Sequence, residues 1–267
     1  NTGALSGSFS VKYEEKNGAR IELIGSSGFR APNVDDYGKV FERNSNLVVP
    51  NNNLKPEFVY TGELNVSKKW IKKEREYLHL KAAGFYTSLT NALVLNNYQL
   101  NGNDSVIYRG EKVNLVSNQN VNSAMIYGAS FDMRIAFTSY LKLTGAINYT
   151  KGENLTDNTP LSHIPPVFGR IALNYTSKKL QIQVASQFNG MKKIEEFGPD
   201  GTDNPEEATI DGSPAWNIYN VYTTYKIAPS FNLQLGIENI LDTHYKQFAS
   251  GVSGLGRNFT IAIRGNF

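Results

Sequence analysis

The sequence predicts an all-β chain that forms a transmembrane antiparallel β-barrel, with about eleven strands that would supply roughly half of a 22-stranded barrel. Three observations predict this fold class. Apolar and polar residues alternate with period two along most of the chain, and short connections alternate with long polar ones. No apolar run approaches the roughly 18 residues that a membrane-spanning helix needs.

The composition excludes several classes of protein. The chain has 267 residues and no Cys, so neither a disulfide framework nor a thiolate metal site can form within it. Its net charge of +3 is too small to indicate a nucleic-acid partner.

The last segment shows the alternation best. Its apolar face carries Phe259, Ile261, Ile263 and Phe267, and its polar face carries Thr260, Ala262, Arg264 and Asn266. Each predicted strand is close to the ten or so residues that a tilted strand needs to cross a bilayer. The predicted strands cover residues 4–14, 19–29, 54–68, 76–90, 119–134, 140–150, 166–176, 179–189, 215–226, 230–239 and 257–267.

The connections alternate strictly between two kinds. Bacterial outer-membrane barrels have short periplasmic turns and long extracellular loops, so the pattern predicts a periplasmic C-terminus and extracellular long loops. The predicted short turns are at 15–18, 72–76, 138–139, 177–178 and 228–230. The predicted long loops are at 30–53, 91–118, 151–165, 190–214 and 240–256.

Alternation alone also fits a soluble sandwich whose apolar face is packed in a core. Two further observations favour the barrel. Charged residues such as Asp132, Lys142 and Arg264 lie on the predicted inner face, where a hydrated lumen accepts them. Aromatic residues cluster near strand ends like two interfacial girdles. They are Tyr13, Trp70, Tyr77, Tyr140, Tyr225, Phe231 and Phe267 at the short-turn end, and Phe29, Tyr149, Phe168, Phe188 and Tyr219 at the other.

The odd number of predicted strands indicates whether they can form a closed barrel by themselves. Eleven antiparallel strands begin and end on the same side, so they cannot close on themselves with antiparallel pairing. We therefore expect residues 1–267 to be the C-terminal part of a barrel, completed by upstream strands or by another chain, with any plug domain outside them.

Three sequence blocks resemble those of a known protein family. SSGFRAPNVDDYG at 26–38, with NNNLKPEFVYTGELNV at 51–66, is similar to the family's FRAP block and the strand start after it. GIENILDTHYKQFASG at 236–251 is similar to its penultimate strand, and LGRNFTIAIRGNF at 255–267 to its terminal strand. The blocks match in order and spacing over nearly the whole chain, and the family that they resemble is that of the TonB-dependent receptors.

This resemblance implies active uptake of a scarce nutrient across the bacterial outer membrane. Siderophore-iron, haem, cobalamin, oligosaccharide and peptide all remain open as substrates. The implied partners are the TonB-ExbB-ExbD complex acting through a plug segment, outer-membrane lipid, the barrel-assembly machinery, the rest of the barrel and a surface lipoprotein. The alternative is a surface β-sheet binding protein, or a passive barrel without energised transport.

Residues near the predicted mouth are the candidates for substrate contact. Arg30 could bind a ligand or anchor its loop by pairing with Asp35 or Asp36. Phe267 resembles the terminal aromatic residue by which the barrel-assembly machinery recognises its clients. The full set of substrate-contact candidates is Arg30, Tyr37, Phe41, Tyr98, Tyr108, Trp216 and Tyr245.

Nothing in the sequence indicates catalysis, a metal site or a cofactor. His79, His163 and His244 are far apart and read as isolated polar residues. Asp200 and Asp203 could suit calcium, but they lack EF-hand spacing and read more simply as part of a solvated turn. The chain is therefore not expected to be an enzyme.

Overall fold

The computed structural model of the protein describes residues 6–43, 46–73 and 75–265. These ranges contain seventeen strands, one short α-helix, α1 (Val34–Gly38), and two 3-10 turns at Ile194–Glu196 and Pro205–Glu207. No helix within them is long and apolar enough to cross a membrane. The strands are β1 (Gly7–Glu14), β2 (Ala19–Arg30), β3 (Phe41–Arg43), β4 (Asn46–Val48), β5 (Glu57–Lys73), β6 (Glu76–Asn97), β7 (Ser105–Tyr108), β8 (Glu111–Ala136), β9 (Leu141–Asn154), β10 (Thr159–Pro160), β11 (Phe168–Thr176), β12 (Leu180–Asn189), β13 (Lys192–Lys193), β14 (Gly212–Ser213), β15 (Trp216–Ala228), β16 (Phe231–Glu238) and β17 (Asn258–Gly265).

One sheet of fifteen strands dominates the fold. Its eleven long strands follow one another in chain order, β1-β2-β5-β6-β8-β9-β11-β12-β15-β16-β17, and each pair of neighbours is antiparallel. The prediction of about eleven antiparallel strands is confirmed. β1 and β17 form the two edges of this path, so the sheet is an open part of a barrel.

The register confirms that the strands have two unlike faces. Residues paired across neighbouring strands lie on the same face of a sheet. One row of paired residues is apolar: Trp70, Leu78, Ile135, Leu143, Leu173, Val184, Val221, Ile237 and Phe259. A row on the opposite face is mostly polar: Glu14, Arg20, Ser67, Lys81, Asp132, Ala146, Arg170 and Gln187.

The apolar face is uncovered. On β17, Phe259, Ile261 and Ile263 are 68%, 74% and 70% exposed. An exposed apolar surface that crosses so many strands far exceeds what a soluble monomer presents to water. The face therefore requires hydrocarbon against it, as in a membrane-spanning barrel.

Two residues assigned to the aromatic girdles lie on the wrong face for that role. Tyr77 is paired with Ala136, and Phe168 is paired with Asn148 and Asn189, which places both on the polar face. Position near a strand end suggested a girdle, but the strand alternation decides which face a ring occupies. The predicted terminal aromatic Phe267 lies outside the described residues.

The prediction of a loop at 91–118 is largely wrong. β6 runs to Asn97, β8 begins at Glu111, and β7 lies between them. Ala92, Val121 and Ala124 form a buried cluster here, packed with Leu161 from another loop. Leu115, Val116 and Ser117 are buried one after another, and such covering of both sides interrupts the period-two pattern.

Candidate functional site

The loop after β2 is held by an ion-pair cluster. The Arg30 Nη1 atom lies 2.9 Å from Asp36 Oδ2, and Arg30 Nε lies 3.9 Å from Glu57 Oε1. The Tyr37 hydroxyl donates a hydrogen bond to the backbone oxygen of Leu54 at 3.3 Å. Arg30 and Tyr37 therefore fasten α1 to the barrel strands, which is the anchoring role weighed for Arg30.

Three more candidates take part in packing within the loops. Lys39 Nζ lies 4.5 Å from the centre of the Phe41 ring. Tyr98 and Tyr108 both pack against a small buried core, which we call the loop core. The loop core consists of Leu47, Val113 and Leu115.

Trp216 begins β15, and its ring meets that of Tyr245 from the loop after β16. Their ring centres are 4.7 Å apart, with the ring planes inclined by 47°. A Cβ atom added at Gly254 would overlap the Tyr245 ring, so this glycine lets the ring lie against the backbone. The Trp216 indole Nε1 is buried and has no hydrogen-bond partner among the described residues.

Trp216 borders a cavity of about 490 Å³, the aromatic cavity. Phe168 and Trp216 are both paired with Asn189, so they share the polar face of the sheet. Arg170 also lines the cavity and donates to Gln183 Oε1 at 2.6 Å. The site thus combines flat rings with a guanidinium group, a combination suited to planar or anionic ligands.

Residues 199–204 form a turn, as interpreted, but the turn is not solvated at Asp203. The Asp203 side chain is fully buried and accepts hydrogen bonds from the backbone nitrogens of His163 (2.7 Å) and Gly198 (2.8 Å). Asp200 accepts from the Ser162 hydroxyl at 2.6 Å. The two aspartates therefore join the loop after β10 to the loop after β13, and nothing in the local sequence signalled the burial of Asp203.

A second contact joins the last two long loops. Lys246 Nζ lies 2.6 Å from Glu207 Oε2, and Asn204 Nδ2 donates to the backbone oxygen of Ala249 at 2.7 Å. The Phe197 and Phe248 rings also meet edge to face, with centres 5.2 Å apart. These loops form one packed unit.

A cavity of about 600 Å³, the lysine cavity, lies beside this unit. Lys151, Glu153 and Lys192 are among the residues that line it, and Lys151 is paired with Glu153. Lys192 is only 8% exposed, and burial lowers its pKa. Sequence reasoning missed this residue.

The histidines do not form a metal centre in the described part of the chain, where no three His, Cys, Asp or Glu side chains come together. His79 lies on β6, His163 is in the loop before β11, and His244 lies 3.2 Å from Ser253 Oγ through its Nε2 atom.

The chain matches the family model described as "TonB dependent receptor-like, beta-barrel" over residues 1–240, and it belongs to this family. This match confirms the resemblance that the sequence blocks indicated. The barrels of this family lie in the bacterial outer membrane. A curated relative is the Probable hemoglobin and hemoglobin-haptoglobin-binding protein 4 of Haemophilus influenzae. It is 23% identical over 263 residues, which cover 92% of this chain and 25% of that protein.

Solved structures agree with this fold. The Copper transporter OprC has a TM-score of 0.75 and 17% identity, with 98% of this chain and 39% of that one covered. A double mutant of the Serratia marcescens hemophore receptor HasR, in complex with its hemophore HasA and heme, has a TM-score of 0.72 and 15% identity, with 97% and 39% covered. The chain therefore spans about a quarter of the curated relative and two fifths of these structures.

Proposed function

We propose that the protein containing this chain takes up a scarce nutrient across the bacterial outer membrane, with energy supplied by the TonB complex. The observation that carries the proposal is the wall itself. One face is apolar and uncovered, while the other bears a row of charged and polar residues across eight strands. Such a wall suits hydrocarbon on one side and a hydrated lumen on the other.

We further propose that the long loops are extracellular and the short turns periplasmic, with residues 1–267 forming the C-terminal part of the barrel. The packing of the long loops supports this orientation, because a layer of joined loops suits ligand capture at the outer mouth. A plug domain and further strands would complete the receptor. The TonB-ExbB-ExbD complex would act on the plug, the barrel-assembly machinery would recognise the C-terminal segment with Phe267, and a surface lipoprotein could assist capture.

Among the substrate-contact candidates, Trp216 and Tyr245 are the residues we assign to the substrate. Trp216 lines the aromatic cavity and Tyr245 packs against Trp216, while Phe168 and Arg170 offer a further ring and a charge in the cavity wall. Arg30, Tyr37, Phe41, Tyr98 and Tyr108 are assigned to holding the loops, because each already contacts neighbouring loop residues.

The names of the similar proteins direct the choice of substrates for a test. The curated relative is named for binding haemoglobin, and the solved structures are named for copper transport and for haem with a hemophore. We therefore place haem and haemoglobin first among the substrates, ahead of siderophore-iron, copper and cobalamin.

The test is growth of a strain that lacks the gene, supplied in turn with haemoglobin, haem, ferric siderophores, copper or cobalamin as the limiting nutrient. Complementation with the whole gene should restore growth on one of them, and a Trp216→Ala/Tyr245→Ala variant should restore it poorly. Removal of TonB should abolish the rescue. Rescue that persists without TonB would show a passive barrel, and ligand binding without any rescue would show a surface binding protein.

A further inference from the structure

Lys192 stands out among the charged residues of the loops because its charge is buried. The residue is 8% exposed and lines the lysine cavity. Its backbone is fixed by the β13-β14 hairpin, where Lys192 is paired with Ser213. A Cβ atom at Gly212 would overlap the Lys192 backbone oxygen, so the hairpin holds Lys192 tightly in place.

The charged neighbours of Lys192 are already engaged elsewhere. Lys151 is paired with Glu153, and Glu196 Oε2 accepts a hydrogen bond from the backbone nitrogen of Lys193 at 3.1 Å. Asp203 accepts from two backbone nitrogens. Among the described residues, none forms a hydrogen bond or an ion pair with the Lys192 ammonium group.

The ammonium group has one direct contact, with a ring, while the Glu196 and Asp203 carboxylates attract it only from beyond ion-pair distance. Its Nζ atom lies 5.6 Å from the centre of the Phe248 ring. A cation-π contact at this distance offsets little of the free energy that is lost when an ammonium group leaves water. Buried charges in proteins are normally paired, so a buried lysine beside a cavity, with no carboxylate at ion-pair distance among the described residues, indicates a place for an anion.

The composition of the cavity wall indicates what kind of ligand would fit. The wall is apolar and polar in about equal parts, so a small inorganic anion would leave the apolar half without contacts. The apolar part of the wall includes Tyr149, Leu155, Pro160, Pro166, Val167 and Met191.

We propose that Lys192 is the anion-binding residue of the lysine cavity, and that the cavity takes a carboxylate attached to an apolar or aromatic body. The inference rests on the proposed function in one respect, since the carboxylate would belong to the captured nutrient. The carboxylate accepts a charge-assisted hydrogen bond from the ammonium group, while the body of the ligand covers the apolar wall.

The experiment uses the purified full-length receptor in detergent and follows two fluorinated probes by fluorine NMR. The probes are 4-(trifluoromethyl)benzoate and its uncharged counterpart 4-(trifluoromethyl)benzyl alcohol. The native receptor should bind the benzoate at least about ten-fold more tightly than the alcohol, as expected for a charge-assisted hydrogen bond. Lys192→Met, which keeps an unbranched apolar stem, should remove that preference.

The neighbouring lysine provides a matched control. The Lys193 side chain is 63% exposed, lies 3.5 Å from Glu195, and does not line the lysine cavity. Lys193→Met should therefore keep the benzoate preference, and thermal unfolding of both variants confirms that they fold. The proposal is overturned if the native receptor shows no preference, if Lys192→Met retains it, or if both variants lose it equally. Because binding is measured without TonB, its failure is separate from a failure of energised uptake.

Discussion

The eleven long strands form the barrel wall, and the connections at their long-loop ends, with the outer parts of β6 and β8, form the loop layer. The two are stabilised in different ways. Most long strands expose both faces, and few of their side chains are buried where the strands cross the wall. The loop layer instead has its own buried apolar residues, like a small water-soluble protein. These residues include Leu47, Val48, Leu54, Val113, Leu115, Val116, Val121 and Phe197. The wall depends on its hydrogen-bonded ladder and on lipid, whereas the loop layer depends on internal packing.

The largest expected effect tests the loop core. Leu115 is 1% exposed, so Leu115→Ala should cost about 2–5 kcal/mol of local stability through lost contacts and a residual cavity. Hydrogen exchange should increase in the loop layer and remain slow in the wall. Leu241→Ala, at a site that is 64% exposed, is the control and should have little effect. If the wall loosened as much as the loops, the two regions would not be independent.

The second effect tests the wall. Ile261→Arg places a charge on the uncovered apolar face and should cost about 2–4 kcal/mol near the bilayer midplane. Ala262→Arg changes the next residue, on the opposite face, and should be much milder. The free energy of unfolding of the complete receptor in lipid vesicles is measured for both variants. Equal destabilisation would contradict the assignment of hydrocarbon to one face and water to the other.

The third effect concerns the link between loops. Asp203→Ala leaves the backbone nitrogens of His163 and Gly198 without their acceptor, at a cost of about 1–3 kcal/mol for each unsatisfied group. Limited proteolysis should then cut between residues 190 and 215 sooner. Asp211 is exposed, so Asp211→Asn should leave the cleavage rate unchanged. Equal cleavage of the two variants would argue against the buried link.

The smallest effect is a pH dependence. Burial lowers the pKa of Lys192 below its ordinary value of 10.5, so the unfolded chain holds this proton more tightly than the folded one. The stability of the loop layer should therefore rise as the pH increases from the lowered pKa towards 10.5. Comparing Lys192→Met with the native protein isolates this contribution, because the variant should lose that part of the slope. An unchanged slope would show that other groups cause it.

The wall was predictable because each of its strands faces two different environments. The predicted strand 179–189 differs from the observed Leu180–Asn189 by one residue at one end. The outer part of β8 was missed, because Leu115, Val116 and Ser117 are buried one after another and break the alternation. Periodicity reports a contrast between two sides, and that contrast disappears where both sides are covered.

The candidate sites were less predictable. Trp216 and Tyr245 were chosen separately as aromatics near the mouth, but their contact depends on how the loop after β16 folds back onto the start of β15. Lys192 and Asp203 were overlooked or misread because charged residues in a polar loop usually face water. Only long-range packing buries them, and the local sequence carries no sign of it.

The length of β8 has a mechanical consequence. Its 26 residues are more than twice the ten or so that cross a bilayer, so one strand belongs to both the wall and the loop layer. Its outer part is hydrogen-bonded to β6 up to Asn97 and to β4 in parallel, which leaves no hinge between barrel and loops there. The last two long loops have no such continuation of the wall strands, but Lys246 and Glu207 tie them to each other. We expect the mouth to be rigid on the side of β6 and β8 and mobile on the side of the last two long loops. Any closure over a ligand would therefore be a movement of those two loops.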